Sequence, residues 1–199
     1  ISGVSISTSD YNVLSAPISP TNPYLTTTYV IRLDGSAIGV YDATVTIISD
    51  DSDEGSFTYD VTGEVVDPYI VTNTNDSGIG SLRWAIDNAN ASFGEPISFN
   101  IPSSDPNYTS GAREFWTIAP VTDLPDITET IILDATTQPG SGNFNIVLDG
   151  GGALTNGFLL NNTNAAGSEI YGFYITNFTN GVFSNQALPL AHLPKAIQL

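Results

Sequence analysis

Asp134 and Asp149 each close a short apolar run, Ile132-Leu133-Asp134 and Val147-Leu148-Asp149. Strand ends repeated in this way can bring two carboxylates onto one face of neighbouring strands. Hydrolysis of a glycosidic bond needs such a pair, one carboxyl to protonate the leaving oxygen and one to attack or to activate water. Asp123, Asp126 and Asp87 are further acidic candidates. Ordinary turn chemistry competes with this account, because Asp after a strand accepts from backbone N–H groups two residues on. That explanation is preferred, so no catalytic residue is assigned, and Asp134 and Asp149 are kept as the pair to test.

A second acidic group, Asp50, Asp51, Asp53 and Glu54, has the oxygen chemistry of a calcium site. Its spacing does not fit an EF-hand loop, since the Gly and the final Glu are misplaced, and a solvated hairpin turn is preferred. No cofactor is expected, with calcium the one considered. A lyase would need a base and a cation to neutralise a sugar carboxylate. Before the C-terminal stretch, residues 68 onward hold only Arg83 and Arg113 as cations, and Arg83 is read as the i,i+4 partner of Asp87. His192, the single histidine, cannot build a zinc site or a triad alone. Gly150-Gly151-Gly152 reads as a tight turn, because no strand-to-helix context makes it a phosphate cradle.

Composition narrows the function classes. With 21 acidic residues against four basic ones the formal charge is −17, which disfavours nucleic acid and anionic membrane surfaces. There is no Cys, so no disulfide or thiolate metal site, and no Met, so a mature product or a piece of a longer protein is expected. No apolar stretch has membrane-spanning length.

The elements that must position these residues are mostly strands. Leu82, Ala85, Ile86 and Ala89 recur at i, i+3, i+4 and i+7, which predicts one amphipathic helix capped by Gly80 or Ser81 and ended before Gly94 and Pro96. Burying Leu82 and Ile86 would contribute about 3–6 kcal/mol, so the stripe needs a partner surface. Residues 1–67 alternate with period two, with Tyr29, Ile31 and Leu33, then Val45 and Ile47, then Phe57, Tyr59 and Val61 on buried faces. Short strands are expected near 97–101, 116–118, 130–133, 145–148, 157–160, 170–175 and 181–183. Asn161, Asn162, Asn164, Asn177 and Asn180 fall at turns, where their amides either bond between stacked strands or simply favour the turn. Trp116, Phe158, Tyr171, Phe173 and Tyr174 are candidates for sugar stacking or core. Asn75, Asn90, Asn107, Asn161 and Asn177 lie in Asn-x-Ser/Thr sequons, read as incidental.

Two resemblances add to this reading. The run from Gly39-Val-Tyr-Asp-Ala through the acidic hairpin to Phe57-Thr-Tyr-Asp-Val-Thr-Gly63 resembles the second half of immunoglobulin-like domains of the abnormal-spindle/hydin type, met in bacterial surface proteins as choice-of-anchor D domains. It departs from them around Arg32 to Ile38, where a Pro before the Gly is missing. The likeness implies a spacer or interaction module. Val71 to Asn90, Ile97-Ser-Phe-Asn-Ile-Pro102, Leu124-Pro-Asp-Ile-Thr128 and Ile131-Ile-Leu-Asp-Ala-Thr-Thr-Gln-Pro-Gly140 are similar, in that order, to the opening segment of secreted right-handed parallel β-helix proteins. In that family a helix caps the first coil.

The expectation is therefore an all-β chain: an immunoglobulin-like β-sandwich over 1–67, the capped N-terminal part of a short parallel β-helix over 68–184, and an irregular tail over 185–199. The expected role is non-catalytic, as a structural, adhesive or carbohydrate- or surface-binding part of a secreted or cell-surface bacterial protein. The alternative is the front of a polysaccharide-degrading glycoside hydrolase or lyase. Expected partners are polysaccharide or another surface ligand, with no nucleic acid, no membrane insertion, and self-association through the open end of the β-helix.

Overall fold

The computed structural model describes residues 1, 3–15, 26–50, 52–53, 55–142 and 144–185, and the backbone of 196–198. The chain is mostly β, with 41% of residues in strands and one α-helix among the described residues. It divides into two compact units, Ile1–Asp67 and Pro68–Leu199.

The first unit holds β1 (Gly3–Ile6), β2 (Tyr11–Ser15), β3 (Val30–Leu33), β4 (Gly39–Ile48) and β5 (Ser56–Val65). β1, β4 and β5 form one antiparallel sheet in that order, and β2 pairs with β3 in another. Alternation decides which side chains turn inward: Ala43 and Val45 are buried on β4, while Val30 and Arg32 of β3 are exposed beside half-buried Ile31 and Leu33. A Cβ on Gly63 would lie 2.8 Å from both Leu33 Cδ2 and the Tyr11 hydroxyl, so only glycine lets these groups approach so closely. Tyr11 donates its hydroxyl proton to Tyr41 O at 2.9 Å. The Tyr29 and Tyr59 hydroxyls bond to each other, and Tyr29 is pushed up to about 12 by burial first and that bond second.

Phe57 departs from its expected face. It is 63% exposed although its period-two partners Tyr59 and Val61 are half-buried. Phe57 lies at the loop end of the β4–β5 hairpin, paired with Ile47, one step beyond Tyr59, whose hydroxyl bonds to that of Tyr29.

The second unit holds β6 (Ile70–Val71), α1 (Leu82–Ala91), β7 (Ser98–Phe99), β8 (Tyr108–Thr109), β9 (Phe115–Ile118), β10 (Ile132–Asp134), β11 (Ile146–Asp149), β12 (Asn156–Leu160), β13 (Glu169–Thr176), β14 (Asn180–Ser184) and β15 (Ala196–Gln198). Most pairings are parallel and link a passage of chain to a later one. β6 pairs with β7, and Ile97 bridges Leu133. β9 pairs with β11 and β11 with β13, while β10 pairs with the first half of β13. Ile127 bridges Leu160, and β12 pairs with β14. β13 also pairs parallel with β15, inside the stretch expected to be irregular; residues 186–195 of that stretch lie outside the described residues. The hairpin of β8 and β9 is antiparallel.

Register fixes the core. Trp116, Ile146 and Phe173 align across three strands, as do Ile118, Leu148 and Ile175, and all six are buried. Phe173 meets Phe99 and Phe158 edge-on, with centroids 5.4 and 5.1 Å apart. Helix α1 adds its stripe of Leu82, Ala85, Ile86 and Ala89, buried in the same cluster as Val71, Ile97 and Phe99. Ser81 is the N-cap, its Oγ accepting from Trp84 N–H at 3.2 Å, and the helix ends at Ala91 ahead of Gly94. Gly94 has φ +94 and no room for a Cβ, which would stand 2.0 Å from Thr130 O. Gln138, 3% exposed, bonds to Ile101 with its side-chain amide, accepting Ile101 N–H at 2.8 Å and donating to Ile101 O at 2.9 Å.

Candidate functional site

The acidic residues at strand ends are held by turns. Asp134 ends β10 and accepts from Thr136 N–H at 3.0 Å, capping the 3-10 turn Ala135–Thr137. Asp149 ends β11 and accepts from Gly151 N–H at 2.9 Å and from Asn177 Nδ2 at 2.8 Å. Both side chains face outward, since the residues before them, Leu133 and Leu148, are buried. Across the sheet, Asp134 stands opposite Tyr171 and Asp149 opposite Thr176. The strand they share bends between these positions at Gly172, whose φ is +72. The two carboxylates have no bonding partner in common. Asp123 accepts from Thr155 N–H at 3.2 Å, Asp126 accepts from Asn161 Nδ2 at 2.6 Å, and Asp87 is exposed on α1.

Arg83 turns away from its expected partner. It bonds to the Asp76 carboxylate and carbonyl at 3.1 and 3.0 Å, and to the carbonyls of Thr122 and Asp123 at 2.8 and 2.7 Å. The expected i,i+4 pair with Asp87 is replaced because the segment 121–123 folds back on the start of α1 and offers Arg83 two backbone carbonyls. Asp76 also accepts from Val121 N–H at 2.9 Å. That bond, and then Arg83, hold its carboxyl below the usual carboxylate range against the opposing effect of burial.

Arg113 is different. Its Nη2 donates to Phe144 O at 2.6 Å, its guanidinium lies 5.7 Å from the Tyr174 ring centroid, and neither ion pair of the described residues includes it. The outward row Thr117, Val147 and Tyr174 runs across β9, β11 and β13 beneath it. Of the aromatic candidates, Trp116, Phe158 and Phe173 are buried, and Trp116 donates its indole N–H to Pro102 O at 3.0 Å. Tyr171 and Tyr174 are half-buried on the outer face. An aromatic face flanked by Arg113, Asp134 and Asp149 can stack on a sugar ring and bond to its hydroxyls. Period two separates Tyr171 and Tyr174 from Phe173 only once the bend at Gly172 is known.

The turn asparagines bond between passages. Asp126, Asn161 and Asn185 form a ladder of side-chain bonds, and Asn156 accepts from Asn180 Nδ2 at 2.9 Å. Asn177 reaches Asp149, and Asn164 donates to Glu129 at 3.3 Å. Asn162 keeps a purely local role, accepting from Asn164 N–H at the start of the 3-10 turn Thr163–Ala165.

In the first unit, Asp50 and Asp53 are exposed in the connection between β4 and β5; Asp51 and Glu54 lie outside the described residues, as does His192. Among the described residues no group of three or more His, Cys, Asp or Glu is placed to hold a metal ion, and no helix is long and apolar enough to cross a membrane. No family model, curated protein or solved structure matches the chain.

Proposed function

We propose that this chain is a non-catalytic structural or adhesive part of a secreted or cell-surface bacterial protein, an immunoglobulin-like sandwich followed by the capped start of a right-handed parallel β-helix. Its outer face, with Tyr171, Tyr174 and Arg113, takes polysaccharide or another surface ligand. The observation that carries the reading is the ladder Asp126–Asn161–Asn185 laid over parallel strand pairs, since a solenoid stacks each passage on the one before and such side-chain bonds recur at the same turn of each. The engagement of Asp134 and Asp149 in turn bonds favours a binding role for this face over hydrolysis.

Affinity electrophoresis against a polysaccharide panel, run beside assays of reducing ends and unsaturated products, tests this. The expected outcome is retardation without turnover, weakened about tenfold or more in Y174A through loss of a stacking contact. Turnover abolished by D134N or D149N would replace the binding role with that of a polysaccharide-degrading enzyme. Calcium at the β4–β5 connection belongs to the same proposal as an optional ligand, and a rise in melting temperature on adding the ion is its mark.

A further inference from the structure

The passage Asp126–Thr128 has two backbone edges. On one, Ile127 N–H donates to Leu159 O at 2.7 Å and Asn161 N–H donates to Ile127 O at 3.0 Å, the parallel bridge to β12. On the other edge stands the Asn90 side chain, from the last turn of α1. Asn90 Nδ2 donates to Asp126 O at 2.8 Å, and Asn90 Oδ1 accepts from Thr128 N–H at 3.0 Å. In a parallel ladder, the residue opposite Ile127 would donate to the carbonyl before it and accept from the N–H after it. A primary amide carries the same donor and acceptor as a peptide group, so Asn90 makes both bonds of a strand that is not there.

We propose that Asn90 is an edge plug: it holds the place that a strand from a second copy of this chain would take, and so keeps copies from adding through this edge. A second copy fits because the chain already makes strands for such edges. Thr155-Asn-Gly-Phe-Leu-Leu-Asn161 and Thr179-Asn-Gly-Val-Phe-Ser-Asn185 share a Thr-Asn-Gly-x-x-x-Asn pattern. The second of these stacks parallel and in register on the first, and the first pairs with Ile127. A β12-like strand is thus complementary in its backbone bonding to both edges of Asp126–Thr128, and Asn90, carried on α1, holds the outer one. Two other edges at this end are met differently: Gly80 O accepts from Thr72 and Asn73 N–H at 2.8 and 3.2 Å, and β8 pairs along β9. Unprotected edges of this kind pair with other chains.

The test is N90A against the parent chain by sedimentation velocity over a wide concentration range. Opening a strand site lets a second copy add there, so N90A should form species larger than those of the parent, growing with concentration. The Thr128 amide should exchange about tenfold faster or more in dilute N90A, where its acceptor is gone. The double variant N90A/T128P removes the donor as well, and should return the size distribution to that of the parent. Should N90A lose its fold by circular dichroism, N90D keeps the acceptor for Thr128 and loses the donor to Asp126 O; it is read by its size distribution alone, growth with concentration supporting the proposal and an unchanged distribution overturning it. An exposed Thr128 amide with no growth in size would overturn the proposal, as would growth that T128P leaves unchanged.

Discussion

Asp76 shows how a single carboxylate ties the start of a helix to a loop far along the chain. It takes Val121 N–H and the Arg83 guanidinium together, while Arg83 in turn binds the carbonyls of Thr122 and Asp123. Because the carboxyl is held below its ordinary value, of about 3.9, the folded chain binds this proton less readily than the unfolded one. The contribution is therefore present above that ordinary value and is lost as pH falls through the lower folded value. D76N should cost about 1–3 kcal/mol at neutral pH, the worth of hydrogen bonds to a charged group. It should also flatten the loss of stability that the parent shows below about pH 4. Urea unfolding followed by tryptophan fluorescence at pH 7 and pH 3 measures both. The reading of Arg83 from sequence failed here for a plain reason: i,i+4 spacing is visible along one helix, whereas a loop forty residues away returning to that helix is not. The same helix was legible in its apolar residues, since Leu82, Ala85, Ile86 and Ala89 need only the helical period to be placed.

At the scale of elements, strand positions were legible and the corners between them were not. Alternation and apolar runs placed β9 to β14 within a residue or two, because inward residues such as Ile146 and Leu148 must be apolar wherever the chain turns next. What β13 does was hidden. Its first half pairs with β10 and its second with β11, so one strand spans two earlier ones and must bend between them. Gly172 makes the bend, with φ +72 and an absent Cβ that would otherwise stand 2.6 Å from Thr136 N. A lone Gly within Tyr171-Gly172-Phe173 was the one available sign of a bend or a close approach. G172A combines left-handed strain of about 1–2 kcal/mol with a clash against backbone worth about 1–3 kcal/mol. A loss of about 2–5 kcal/mol is expected in chemical denaturation. Since the bend sets the Asp134 turn against Tyr171, the polysaccharide retention proposed for the outer face should fall in G172A even where the chain remains folded.

For the whole molecule, the two units differ in how much they bury. Among the described residues, the first has Tyr11, Ala43 and Val45 as its buried apolar side chains, with Leu14, Val30, Ile38, Val40, Ile48 and Phe57 exposed. The second buries a continuous cluster from Val71 to Ile175, including three phenylalanines in edge contact. Net stability is a small difference between burial and chain entropy, so a unit with a thin core sits closer to its unfolding threshold than one with a thick core. Unfolding should therefore proceed in two steps, the first unit melting at the lower temperature. The chain supplies its own probe for this order. Both of its tryptophans, Trp84 and Trp116, belong to the second unit, so tryptophan fluorescence follows that unit alone while far-ultraviolet circular dichroism follows both. Heating should give a dichroism transition that begins while the tryptophan signal is still native, then a later step seen by both probes. V45A, which opens a cavity in the thin core, should lower only the first step, by the several degrees that about 1–3 kcal/mol is worth in a small domain. Coincident transitions by the two probes, in parent and variant alike, would mean that the chain unfolds as one cooperative body despite its division into two units.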